Sequence, residues 1–128
     1  VPAGRRVDVP PCRVMQSLPH PLPDGLVELI ARRFRVIGEP MRIRILDQLR
    51  SGDATVQELT DATGASQQNV SKHLGVLLEA GIVSRRKRGT AAIYAIADDG
   101  VFLLCEAVCG SIQRQLAELD AIVAVARA

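Results

Sequence analysis

The chain has 128 residues, the size of one domain, and its 48% hydrophobic content places it among folded globules rather than disordered tails. Aromatic residues make up 2%, so the core must be built from Leu, Ile, Val and Ala, which favours packed helices over a β-sandwich. The net charge of +2 is too small by itself to announce a nucleic-acid partner. No apolar run approaches the ~18 residues that span a bilayer, and three widely spaced cysteines are not a secreted disulfide framework. The expectation is a soluble, cytoplasmic protein without a membrane partner.

Six of the seven prolines fall within residues 1–23, where fixed φ and missing N–H groups oppose regular helix or central strand. Residues 1–23 are therefore read as an extended arm carrying Cys12, and residues 24–128 as the folded domain. Asp24 caps a first helix running to about Ile37, with Leu26, Leu29, Ile30, Phe34 and Ile37 at helical spacing and Gly38 closing it. Pro40 suits the first turn of a second helix that buries Ile43, Ile45, Leu46 and Leu49, leaves Arg42, Arg44 and Arg50 on its wetter sides, and stops at Ser51-Gly52.

Thr55-Val56-Gln57-Glu58 is a capping box, which predicts a short helix over Val56 to Thr63, stopped by Gly64. Ser66 caps the next helix, which runs to Glu79 or Ala80 with Gly81 as its left-handed terminator. Two helices joined by Gly64-Ala65-Ser66 describe a helix-turn-helix. The segment from Ile82 to Ile96 reads as a two-stranded hairpin with a basic tip at Arg88-Gly89-Thr90. Asp98-Asp99 then caps a long last helix whose residues 101, 105, 108, 112, 116, 119, 123 and 126 form an apolar stripe over about seven turns. One small domain cannot bury that stripe, which predicts a second subunit against it. The predicted fold is mainly α with a small β-hairpin, a winged helix-turn-helix.

Charge is unevenly spread. From Ser66 to Tyr94 there are five Lys/Arg and one acid, a local +4, against eleven bases and thirteen acids elsewhere, or −2. In the Ser66-capped helix, Val70, Leu74, Leu77 and Leu78 share one face, which turns Gln68, Asn69, Lys72, Gly75 and Val76 outward, with Ser71 and His73 at the flanks and Gln67 in the first turn. Gln and Asn can pair with the adenine edge, Ser and Lys can meet phosphate or guanine, and Gly75 permits close approach to a duplex. In the basic segment Arg85 to Arg88, the residues expected to meet phosphates or a minor groove are Arg86, Lys87 and Arg88. Taken singly, each of these residues reads equally well as a solvated helix or turn position; their order along the chain makes the DNA reading the stronger one. The expected DNA-binding set is Ser66, Gln67, Gln68, Asn69, Ser71, Lys72, His73, Arg86, Lys87 and Arg88, with operator double-stranded DNA as partner.

The stretches Gly38-Glu39-Pro40-Met41-Arg42-Ile43-Arg44-Ile45-Leu46, Ala65-Ser66-Gln67-Gln68-Asn69-Val70-Ser71-Lys72-His73-Leu74 and Gly75-Val76-Leu77-Leu78-Glu79-Ala80-Gly81-Ile82-Val83 resemble the ArsR/SmtB family of winged-helix metalloregulators over roughly residues 26 to 125. The resemblance implies a homodimeric repressor, joined through its first and last helices, that occupies a palindromic operator and lets go when an inducer binds. The Cys-x-Cys site of some metal-sensing members is absent, because that stretch here is Thr55-Val56-Gln57-Glu58-Leu59. An Asp/His zinc site on the last helix is absent too, since the histidines are His20 and His73.

Thiol chemistry remains. Cys105 and Cys109 are i, i+4 neighbours on the last helix, with Cβ atoms ~5–6 Å apart, so both sulfurs can turn toward one ion. A disulfide between them is less natural, because it wants Cβ atoms ~3.5–4.5 Å apart. Cys12 can supply a third thiolate from its own or the partner subunit's arm, a three-sulfur set suited to As(III) or Sb(III) as inducer; Cd(II), Pb(II) and Cu(I) stay open. The alternatives are a redox or persulfide sensor of the same fold, using Cys12 with Cys105 or Cys109, and cysteines that serve only as small apolar side chains in a dimer seam. A thiol enzyme is disfavoured, because no Cys-x-x-Cys, nucleophile elbow or Gly-rich phosphate loop is present.

Overall fold

A computed structural model describes residues 18–127. Eight elements follow in order: α1 (Asp24–Ile37), α2 (Pro40–Leu49), β1 (Ala54–Thr55), α3 (Val56–Thr63), α4 (Gln67–Glu79), β2 (Val83–Arg88), β3 (Ala91–Ile96) and α5 (Gly100–Arg127). Two compact units divide the chain between Phe34 and Arg35, so α1 gives only its last turn to the unit that holds the rest.

The local signals act as elementary chemistry requires. Glu39 caps α2, its carboxylate accepting the Arg42 backbone N–H at 3.0 Å, and Pro40 occupies the first turn, where its missing donor costs nothing. The Thr55 hydroxyl accepts the Glu58 N–H at 3.1 Å and the Glu58 carboxylate accepts the Thr55 N–H at 3.0 Å, a complete capping box for α3. Gly64 ends α3 at φ 73°, a conformation that costs a residue with a Cβ but not glycine. Two residues later the Ser66 hydroxyl accepts the Asn69 N–H at 3.1 Å and opens α4.

The core is aliphatic, as the composition demands. Ile45, Leu46 and Leu49 of α2, Leu59 of α3, and Val70, Leu74 and Leu77 of α4 pack together with Ile37, Ile82, Val83, Tyr94 and Val101. The α2 stripe differs from the expected one. Ile43 is 44% exposed and Arg42 is half-buried. At 3.6 residues per turn, Ile43 stands roughly 110° from the middle of the Ile45–Leu46–Leu49 face, whereas Arg42 falls on that face.

The sheet has three antiparallel strands in the order β1-β3-β2, where two were expected. β1 pairs Ala54 with Tyr94 and Thr55 with Ile93. A two-residue strand has no period to read, and its pairing is visible only once β3 lies beside it. β2 and β3 pair from Val83↔Ile96 to Arg88↔Ala91, so Arg88 is the last paired residue of the strand rather than part of the tip. The loop is Gly89-Thr90, with Gly89 at φ 64°.

α5 is different in kind. It has 28 residues and is about 42 Å long. Asp98 accepts the Gly100 N–H at 3.0 Å at its start, Val101 is its one buried residue, and Phe102 lies 5.8 Å beneath the Arg50 guanidinium. Beyond that, Val108, Ile112, Leu116, Leu119, Ile122, Val123 and Val125 are exposed. Among the described residues no helix is long and apolar enough to cross a membrane.

Candidate nucleic-acid interface and thiol pair

α4 is held from behind and bare in front. Its buried stripe of Val70, Leu74 and Leu77 leaves Gln68, Lys72, Gly75 and Glu79 on the opposite side, all exposed. Ser66, Gln67 and Ser71 are exposed and Asn69 is half-exposed, so these expected contacts lie at the N-terminal half of the helix or on its open side. Gly75 has open space where a Cβ would stand, and its φ is not positive, so neither packing nor backbone within the chain requires glycine there.

His73 departs from the expected set. It is buried, with 7% exposure, and so is not at the surface with its neighbours. Its Nδ1 lies 3.1 Å from Nη1 of Arg42 and 3.6 Å from a carboxylate oxygen of Glu39. A guanidinium can only donate, so in this contact Nδ1 is the acceptor. Arg42 also donates through Nε to the Val36 carbonyl and through Nη2 to the Arg35 carbonyl at 3.4 Å. One side chain thus closes the exposed carbonyls at the end of α1 and ties them to the middle of α4. Sequence reasoning placed Arg42 in water and His73 toward DNA. The available signal was helical phase, since both positions fall within about 70° of the buried stripe of their helix.

The hairpin is a wing with two unequal faces. Alternation along β2 puts Ser84, Arg86 and Arg88 on one side and Val83, Arg85 and Lys87 on the other. Arg86 donates to Asp53, ahead of β1, at 2.7 Å. The Glu58 carboxyl is held below its usual 4.5, first by the backbone N–H of Thr55, then by that residue's hydroxyl, with partial burial opposing and the positive charge of Arg88 assisting.

The two described cysteines lie one turn apart on α5, Cys105 half-buried and Cys109 exposed, both as free thiols. Cys12 lies outside the described residues. Among the described residues no group of three or more His, Cys, Asp or Glu side chains is placed to hold a metal ion. The pair alone offers two sulfurs, fewer than a three-ligand site requires.

A capped helix-turn-helix, an open amide-bearing helix face and a basic wing define a winged helix-turn-helix DNA-binding regulator. Residues 39–85 match the family described as bacterial regulatory protein, arsR family. The chain is similar to the HTH-type transcriptional repressor SmtB of Mycobacterium tuberculosis, 34% identical over 97 residues that cover 76% of this chain and 67% of that protein. It is also similar to a probable mercury resistance operon repressor of Streptomyces lividans, 37% identical over 71 residues, covering 56% and 57% of the two chains. Among solved structures, the homodimeric winged helix-turn-helix DNA-binding domain of a possible ArsR-family regulator from Mycobacterium bovis superposes with TM-score 0.65 at 29% identity, covering 77% of this chain and 94% of that one. The chain belongs to the ArsR family. It is a transcriptional regulator, not an enzyme.

Proposed function

We propose that the protein is a repressor that grips operator DNA as a homodimer and releases it when a soft, trivalent metalloid, As(III) or Sb(III), binds cysteine thiolates. The observation that carries the sensing half is the Cys105–Cys109 pair, spaced one turn apart on the helix whose apolar residues lack a partner. Sulfur-only ligation selects soft ions, and the third thiolate falls to Cys12 of the Pro-rich arm. The likeness to a mercury operon repressor supports a thiophilic inducer without choosing among As(III), Sb(III), Cd(II) and Pb(II).

The DNA half rests on Ser66, Gln67, Gln68, Asn69, Ser71 and Lys72 at the open side of α4, with the basic wing supplying phosphate contacts. Homodimerisation through α1 and α5 is supported by the exposed Leu29 and Phe34 of α1, the exposed stripe of α5, and the homodimeric M. bovis relative. An ion held on α5 at a dimer seam changes how the two reading heads are set apart. Allosteric coupling of ~1–3 kcal/mol weakens operator binding ~5- to 150-fold.

The test uses a duplex selected by the reduced protein from a random-sequence pool. Arsenite, antimonite, Cd(II), Pb(II) and Zn(II) are titrated in parallel against the bound complex. Cys105→Ser and Cys109→Ser should bind the duplex as the parent does and fail to release it. Release by metalloid from both serine variants would overturn the assignment. Release by peroxide or polysulfide alone would transfer it to redox sensing, for which the exposed thiol of Cys109 is the favourable observation.

A further inference from the structure

The four consecutive cations Arg85, Arg86, Lys87 and Arg88 look equivalent in the sequence, yet the sheet separates them into two pairs. Arg86 stands opposite Ile93, which stands opposite Thr55, so the three share a row across the sheet. Asp53, two residues before Thr55, projects to that same face, and the Arg86–Asp53 ion pair spans β3 there at 2.7 Å. Ile93 in the middle of the row is buried, although it is not part of the main core cluster on the opposite face.

Arg85 and Lys87 are on the other face, with Val83 and Tyr94, the face that packs against α4. Both are exposed, and neither forms an ion pair with any described residue. We propose that the wing meets the DNA backbone through Arg85 and Lys87, and that Asp53 holds Arg86 out of that contact. The proposal rests on the DNA-binding reading and sharpens it.

Exchange of partners separates Arg86 from Arg85 and Lys87. A phosphate that recruits Arg86 must displace Asp53 and leave an unpaired carboxylate near a polyanion, so the gain of one contact is offset by a new repulsion. Recruiting Arg85 or Lys87 displaces only water. An exposed ion pair is weak, so Asp53 can bias the contact without forbidding it.

The salt dependence of binding to a mixed-sequence duplex tests this, because the slope of log K against log salt counts phosphates neutralised. Arg85→Ala and Lys87→Ala should each reduce the slope by about 0.9 per wing engaged. Arg86→Ala should leave it at the parent value, and Asp53→Asn should steepen it by freeing Arg86. A flattening by Arg86→Ala as large as that by Arg85→Ala would overturn the proposal, as would an Asp53→Asn slope equal to the parent's. Absence of any parent binding at low salt would instead overturn the DNA-binding reading, and this proposal with it. All four substitutions are at exposed positions, so thermal melts should show each variant folded.

Discussion

The unit formed by α2, α3, α4 and the sheet and the long helix α5 obey opposite rules. In the former, most large aliphatic residues are buried, with Ile45, Val70, Leu74 and Leu77 fully excluded from water. In α5, 28 residues contribute one buried side chain, and its apolar stripe faces solvent along most of its length. The first is complete as a monomer. The second carries the periodicity of a core with nothing packed on it, which is how an interface between subunits appears in a single chain. The proposed reading and sensing residues divide in the same way: the amide face lies on α4 within the packed part, and the thiols lie on α5.

The contrast can be broken most severely in the core. Leu74→Ala leaves a cavity beneath the reading helix and should cost about 2–5 kcal/mol in denaturant unfolding. A cost under ~1 kcal/mol would show the core to be less tightly packed than described. On α5 the paired change Leu116→Asp with Leu119→Asp should leave the helix-turn-helix core intact and shift sedimentation equilibrium from dimer to monomer. Retention of the dimer would place the interface elsewhere.

Gly75 sharpens the reading-face side. Glycine within a helix costs about 1 kcal/mol relative to Ala, and here nothing inside the chain requires it. Gly75→Ala should therefore stabilise the fold by about that amount while weakening duplex binding. Unchanged affinity would mean that the helix does not approach DNA closely at this point.

The smallest effect is expected at the α3 cap. The Glu58 carboxyl titrates below its unfolded value of 4.5, so its contribution to stability is present above that pH and lost as pH falls through the folded value. Glu58→Gln keeps an acceptor for the Thr55 N–H and should flatten the acid side of the Tm profile. An unaltered profile would show that the carboxylate is not responsible for it.

Local chemistry made most elements legible beforehand. Ser66, Gly64, Pro40 and the Thr55/Glu58 box act within three or four residues of themselves, so their outcomes could be read from the chain. The winged helix-turn-helix, its amide-rich face and the thiol pair followed from them. β1 was not legible, because Ala54 and Thr55 become a strand only through distant Ile93 and Tyr94. Nor was the role of Arg42, whose guanidinium joins α1, α2 and α4.

Capping, glycine turns and hydrophobic period are interactions of a residue with its near neighbours, and for these the order of amino acids was enough. Which of several like residues is buried, paired or free depends on what distant segments bring alongside. Folding placed Glu39 and Arg42 against His73, Asp53 against Arg86, and open solvent beside Arg85 and Lys87. Electrostatic and steric partnership acts through space, and distance along the chain does not measure it.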